Sequence, residues 1–260
     1  MIIQVDDPGD PRLADYIGLR DRRTPDGVVI VEGIVAVGQL VTSGYPIRSL
    51  LVLRSQLPRV EPLVAGRDLP VYLAEPEVLS ATVGFNLHRG VVAAADRLPV
   101  PAAEAVWRNA RTVAVLEGLN DHENLGALFR NAAAFGVDGV LLSPSCADPL
   151  YRRSVRVSLG HVLHVPFAWF PSWPGDLGRV RAGGFEVVAL TPSADAEPID
   201  GVAFADRVAL LLGTEGPGLS AAALAAADRR VRIPMRTGVD SVNVATAAAI
   251  AFYARQVARR

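Results

Sequence analysis

Lysine is missing from the 260 residues, and all 26 basic side chains are arginine. The planar arginine fork suits bidentate phosphate contacts. A complete arginine bias is also what a skewed genome composition produces, so it identifies no partner. Cysteine is almost missing too, since Cys146 stands alone. That excludes a disulfide framework and a cysteine-rich zinc site, so no metal is expected. A reducing, cytoplasmic compartment fits. No apolar run is long enough for a bilayer, and no membrane contact is expected. The longest run near the end, Val244 to Ala254, falls well short. The chain starts Met-Ile-Ile-Gln-Val-Asp-Asp, with early acids and no basic or apolar leader region, so no signal peptide is expected. Internal repeats and low-complexity tracts are absent. Charge excess is absent as well: the net charge of −1 argues against indiscriminate nucleic-acid binding. The charge is unevenly spread. Residues 1–105 hold 10 Arg against 13 Asp and Glu, and residues 106–260 hold 16 Arg against 14.

What is present is an ordinary globular balance, 50% hydrophobic and 20% charged, in a chain long enough for one large or two modest domains. Strands are expected over 28–31, 47–53, 71–73 and 91–93, with a helix over 34–40 and a polar turn over 86–90. This predicts a small α/β domain over residues 1–96. The prolines Pro99 and Pro101 lie in a linker read over 97–106. The second domain, 107–260, has expected strands at 112–116, 139–142, 185–190, 208–212 and 231–233. Leu125, Leu128, Phe129, Ala132 and Ala133 recur at helical spacing, and 244–257 reads as an alanine-rich closing helix. Strands alternating with helices imply a mostly parallel sheet covered on both faces.

Three segments follow expected strands, where open α/β sheets bind ligands. In Glu117 to Arg130, the residues Asn120, Asp121 or Asn124 can cap a helix. Gly126 and Arg130 share a face off the apolar stripe, which leaves Arg130 pointing outward above a glycine that makes room for a ligand. A solvated surface arginine fits equally. In Leu211 to Ser220, three glycines and a proline follow a strand. The segment lacks a Walker ending and a Gly-x-Gly-x-x-Gly turn. Glu215 inside the loop suits a hydroxyl, amine or cationic ligand better than a phosphate. A plain strand–turn–helix junction starting near Ser220 is the alternative. In Ile233 to Ala249, a strand end carrying Pro234 gives a polar loop, after which Ser241 or Asn243 begins the last helix, with Ser241 the expected N-cap.

Taken together, the segments resemble the motifs of the SpoU/TrmH branch of the SPOUT RNA methyltransferases. The first is Asn124-x-Gly126-x3-Arg130 with Ala134-Phe135-Gly136. The second is Leu212-Gly213-Thr214-Glu215-Gly216-x-Gly218-Leu219-Ser220. The third is Ile233-Pro234-Met235 followed by Ser241-Val242-Asn243-Val244-Ala245. Asp148-Pro149-x4-Ser154-x-Arg156-x-Ser158-x-Gly160 matches in between. The likeness runs from about residue 112 to 257. Thr214 replaces the usual Asn and Val242 the usual Leu. More loosely, Val31-Glu32-Gly33, Val37, Leu40 and His88-Arg89-Gly90 are similar to a substrate-binding domain often fused to this enzyme.

The resemblance implies a parallel-sheet domain with a deep trefoil knot, S-adenosylmethionine as cofactor, RNA as partner and a homodimer with the active site at its interface. It implies Arg130, Asn124, Glu215, Ser241 and Asn243 as catalytic residues. Cofactor contacts would come from Leu190, Thr191, Gly213, Thr214, Gly216, Ile233, Met235, Val242 and Ala245. RNA contacts are expected from Arg153, Arg156, Arg89, Arg22 and Arg23. Arg20, Arg22 and Arg23 also read as a solvated charged turn. The alanines of the closing helix suit a dimer interface or a buried intramolecular helix. The implied reaction moves a methyl group to a ribose 2′-hydroxyl, with ribosomal RNA the expected target and transfer RNA the runner-up. An NAD-linked oxidoreductase lacks its glycine signature here. A non-catalytic RNA binder would not need Asn124, Arg130, Glu215 and Asn243 intact.

Overall fold

The computed structural model describes residues 1–20 and 27–258. Arg22 and Arg23 lie outside the described residues. In chain order the elements are β1 (Ile2–Gln4), β2 (Val28–Glu32), α1 (Ile34–Thr42), β3 (Ile47–Leu53), α2 (Leu57–Val64), β4 (Val71–Ala74), α3 (Pro76–Val83) and β5 (Val91–Asp96). They continue as α4 (Ala103–Trp107), β6 (Thr112–Leu116), α5 (His122–Ala134), β7 (Gly139–Leu142), α6 (Arg152–Val157) and β8 (Phe167–Trp169). The last are α7 (Leu177–Ala182), β9 (Glu186–Leu190), β10 (Glu197–Pro198), β11 (Val208–Leu212), α8 (Ala221–Ala226), β12 (Arg229–Arg232) and α9 (Val244–Val257).

The described chain forms two compact units. One comprises residues 1–99 together with 150–164, and the other the remaining described residues. Among the described residues, the first unit has a five-stranded mixed sheet in the order β1-β4-β3-β5-β2. β5 runs antiparallel to both β2 and β3, whereas β3, β4 and β1 are parallel. Leu13, Tyr16, Ile30, Leu51, Tyr72, Leu79 and Val92 share its core. Tyr16 is fully buried, and its hydroxyl meets Ser49 Oγ at 2.6 Å. Burial pushes that phenol well above its ordinary range.

Residues 150–164 were expected in the second domain; the structure assigns them to the first unit, and a buried charge explains why. Glu32, at the end of β2, is 5% exposed. A buried carboxylate needs a partner. Arg152 Nη1 of α6 donates to Glu32 Oε2 at 3.0 Å, and Arg156 Nη1 lies 3.8 Å from the same oxygen. The Arg152 guanidinium also sits 4.7 Å from the centre of the Phe85 ring. Gly160, at φ +85°, completes the docking: a Cβ there would lie 3.0 Å from Ala36 O, so only glycine allows α1 this close.

The second unit has, among the described residues, a seven-stranded sheet in the order β10-β12-β9-β11-β6-β7-β8, with every neighbouring pair parallel. β6 (TVAVL) and β11 (VALLL) are buried along their whole lengths, as near-continuous apolar runs in a doubly covered sheet must be. One face packs Val113, Val115 and Leu211 with Trp107, Phe170, Leu177 and Val180. Ala103 and Val106 belong to the same core, so the end of the expected linker is the packed helix α4. The other face carries α5 and α9, which pack on each other. Ala245, Ala248 and Ala251 of α9 are buried, which makes this part of the alanine face intramolecular. Cys146 is structural: its thiol donates to Leu116 O and accepts from Leu119 N, both at 3.3 Å, and burial pushes its pKa up.

The parallel order places all C-terminal strand ends on one edge. β6 neighbours β7 on one side and β11 on the other, so the chain order reverses between β6 and β11. The segments after β6, β9, β11 and β12 leave this edge near that reversal, where doubly wound sheets hold ligands.

Candidate active site

The loop after β11 is built to fold back on itself. A Cβ on Gly213 would lie 2.3 Å from Gly218 C, a distance only a glycine at this position can avoid. Gly218 N donates to Thr214 O at 3.1 Å to close the turn. The chain then reaches Ser220, whose Oγ accepts from Ala223 N at 3.1 Å to start α8. The fold-back leaves Glu215 exposed at the tip.

Asn243 meets Glu215 from the other side. Its Oδ1 accepts from Ala245 N at 2.9 Å and Thr246 N at 3.3 Å, which caps α9. Ser241 is therefore not the cap. A cap must stand directly before the first helical residue in an extended conformation, and Asn243 does so at φ −48°, ψ 140°. With Oδ1 engaged by two donors, Nδ2 is left to donate. It does so to Asn124 Oδ1 at 2.7 Å and to Glu215 Oε1 at 2.6 Å. Three residues far apart in sequence thus form one polar cluster. α5, which carries Asn124, is capped by Asp121, whose Oδ1 accepts from Glu123 N and Asn124 N, both at 2.8 Å.

Beside the cluster lie two adjoining cavities of about 430 and 90 Å³. The larger is lined by Gly213, Thr214, Glu215, Gly216, Val242 and Asn243, and the smaller by Leu190, Thr191, Ile233, Met235, Ser241 and Val242. Most expected cofactor residues therefore share one hollow. Ala245 is the exception. It is buried, and its carbonyl accepts from Asn131 Nδ2 at 2.9 Å, which ties α9 to α5. Pro192 and Ala247 line both cavities instead, and no residue pattern in the sequence singled them out. The hollow has apolar walls in Leu190, Ile233, Met235 and Val242, strand-end backbone at its rim and a carboxylate at its mouth. Such a site suits a flat heteroaromatic group with a polar, cationic tail.

Arg130 does not join the cluster. It is exposed and bonds to no side chain among the described residues, whereas Gly126 is buried. The expected space above Gly126 is thus closed. Residues four apart on a helix differ by about 40° around its axis, enough to put one inside the contact and the other outside. Arg130 is six residues beyond Asn124, about 120° round α5.

In the first unit, Arg89 lies across Gly33, with its Cδ 2.9 Å from where a Cβ would stand. It lines a cavity of about 320 Å³ with Gly33, Ile34, Arg59 and His88. α1 opens there without a side-chain cap. Neither Arg59 nor Arg89 forms an ion pair among the described residues; Arg59 donates only to Gln56 Oε1 at 3.3 Å. Arg156, expected to meet RNA, stands instead beside Glu32, while Arg153 is exposed on α6.

Known proteins match this architecture. The family model described as SpoU rRNA Methylase family matches residues 111–253. An uncharacterized tRNA/rRNA methyltransferase of Mycobacterium tuberculosis is 49% identical, over 96% of this chain and 90% of the relative. The 23S rRNA (guanosine(2553)-2′-O)-methyltransferase of Bacillus subtilis is 26% identical, over 96% of this chain and 98% of its own length. The structure of an AdoMet-bound rRNA methyltransferase from Sinorhizobium meliloti superposes with a TM-score of 0.81 at 25% identity, covering 100% of this chain and 98% of that one. With its parallel sheet, its glycine-rich loop and a family match over more than half its length, this chain belongs to the SpoU rRNA methylase family.

Proposed function

We propose that this chain transfers a methyl group from S-adenosylmethionine to a ribose 2′-hydroxyl of RNA, with ribosomal RNA as the substrate in preference to transfer RNA. The observation that carries this reading is the Asn124–Asn243–Glu215 cluster at the mouth of an apolar hollow on the parallel-sheet edge. The AdoMet-bound relative supports the cofactor, and the Bacillus subtilis relative supports the 2′-hydroxyl as acceptor.

The residues present fit the cofactor. Leu190, Ile233, Met235 and Val242 form an apolar slot for adenine, and strand-end backbone at Thr191 and Gly213 suits its polar edge and the ribose. When bound, S-adenosylmethionine supplies an electrophilic methyl group on a positively charged sulfur. Glu215 gives the mouth of the hollow a matching negative charge, and Ser241 offers a further hydroxyl there. An arginine stays protonated, so Arg130 is poorly suited to remove the hydroxyl proton. In this reading it clamps the phosphate beside the target ribose and steadies charge developing on the attacking oxygen. Its exposure and lack of a side-chain partner among the described residues leave its fork available for that task.

The reading includes the knotted threading of the second unit and a homodimer that covers the site. α9 supports the dimer: Ile250, Tyr253 and Val257 are exposed at i, i+3 and i+7, one apolar stripe opposite the buried alanines. RNA would also touch the first unit at Arg59, His88 and Arg89. Labelled methyl transfer to deproteinised ribosomal RNA and to transfer RNA, followed by mass-spectrometric mapping of 2′-O-methyl nucleotides, tests the proposal. Label on a ribose of ribosomal RNA is the expected outcome. Label on a base, on transfer RNA alone or on neither RNA overturns it.

A further inference from the structure

Glu117 stands at the end of β6 and lines neither of the two cavities. Its backbone N–H donates to Leu212 O, at the end of β11, at 2.9 Å. Its side-chain Oε2 accepts from Ser220 N, at the start of α8, at 2.8 Å. One residue therefore grips both ends of the loop 213–219. The second oxygen is used as well, since Oε1 accepts the indole N–H of Trp173 at 2.6 Å. Trp173 packs against the core of the unit, so it fixes which way the carboxylate faces. The next residue lies directly against the loop: a Cβ on Gly118 would stand 3.0 Å from Thr214 Cγ2.

The loop needs such a hold. Gly216 and Gly218 take φ of +81° and +72°, and glycines lose more freedom on ordering than any other residue. Glu215, between its two ends, is exposed and reaches the rest of the site through the bond to Asn243. A shift of the loop ends would move that carboxylate and the wall formed by Gly213, Thr214 and Gly216.

We propose that Glu117 is a positioning residue for the active site: oriented by Trp173, it holds the loop that presents Glu215 to Asn243 and shapes the larger cavity. Both donors point at Glu117, so the position requires two acceptors. A carboxylate has them and a carboxamide does not. The inference rests on the proposed cofactor reading only where ligand binding is the readout.

The test compares Glu117→Gln, Trp173→Phe and the double variant in the full chain. Hydrogen exchange over residues 213–220 is the first measurement and titration with S-adenosylhomocysteine the second. In Glu117→Gln the amide must turn its NH₂ toward one of two donors. Exchange over the loop then rises about tenfold and ligand affinity falls by a similar factor, the scale of one lost charge-assisted hydrogen bond. Trp173→Phe alone keeps the bond to Ser220 and stays within about threefold of the parent. Adding Trp173→Phe to Glu117→Gln removes the indole donor, lets the amide oxygen face Ser220 and restores exchange and affinity toward the parent. Rescue of this kind is not expected from a residue that merely stabilises the fold. Unchanged loop exchange in Glu117→Gln, exchange raised equally in β6 and β7, or a double variant worse than the single one overturns the inference. If the parent chain fails to bind S-adenosylhomocysteine, the cofactor reading falls, and loop exchange still decides the role of Glu117.

Discussion

The two sheets of this chain place binding groups by different means. In the second unit every strand pair is parallel, so the loops after β9, β11 and β12 gather on one edge. Their backbones and small side chains form the hollow, and Asn243, after β12, bonds Glu215 after β11 and Asn124 after β6. In the first unit β5 runs against both neighbours, and the connections are shared between opposite ends. Its cavity is made by the start of α1, by Arg59 of α2 and by the turn carrying His88 and Arg89. One unit therefore offers shape and backbone hydrogen bonding, and the other offers positive charge. The second unit suits a small ligand held in one pose, and the first unit an extended anion held by its phosphates.

Substitutions should break the two units in different ways. The largest effect is expected at Arg130. Arg130→Ala lowers methyl transfer at least about a hundredfold, the scale of losing a group that stabilises developing charge. S-adenosylhomocysteine binding, followed by calorimetry, stays near the parent value. Transfer at the parental rate would remove Arg130 from the mechanism. Arg130→Lys tests the fork, since lysine keeps the charge and loses the bidentate geometry.

Asn243→Asp is the next largest. The aspartate still caps α9 through one oxygen but loses the donor to Asn124 and sets a second negative charge beside Glu215. Ligand affinity is expected to fall about tenfold, while the melting temperature changes little because Asp caps about as well as Asn. A large drop in melting temperature with affinity intact would reverse the assignment of Asn243 from site to scaffold.

For the first unit, Arg59→Ala with Arg89→Ala should weaken binding to ribosomal RNA and flatten its salt dependence. Each lost phosphate contact lowers the slope of log affinity against log salt by about 0.7 to 0.9. Arg12→Ala, on an exposed arginine already paired with Asp10, is the control and should leave the slope alone. A slope unchanged in the double variant would take RNA away from this cavity. The smallest effect is expected at Asp121. Loss of that cap costs about 1 kcal/mol and about 2–4 °C in melting temperature. Calorimetric ligand binding should be unaffected, because Asp121 caps α5 without touching the hollow.

Much of the second unit was legible in the residues. β6 and β11 are near-continuous apolar runs, and the stripe from Leu125 to Ala132 has helical spacing, so local pattern and burial agree. Asn124, Glu215 and Asn243 lay in polar segments after apolar strands, and the resemblance to the SpoU/TrmH motifs singled them out there. Three-residue strands such as β1 and β8 were not legible, being too short to show a period, and β12 ended before Ile233 instead of including it. Ser241 was a plausible cap on composition. Only the backbone angles at Asn243 and its bonds from Ala245 N and Thr246 N decided between the two. Glu117 gave no signal, because a glutamate ending a strand looks the same whether it is solvated or holds two donors.

By itself, the amino-acid sequence determined the class of fold, the longer strands and helices, and the loops that meet beside the hollow, because periodicity and turn residues act over short stretches of chain. Tertiary structure decided which partners those residues meet. It turned Arg152 and Arg156 toward a buried glutamate about 120 positions away and moved residues 150–164 into the first unit. It also set Asn243 between Asn124 and Glu215, 119 and 28 positions distant. The reason is that a buried charge or an unfilled hydrogen bond is settled by whatever group lies nearest in space, and nearness across a sheet edge is not written in the spacing of residues.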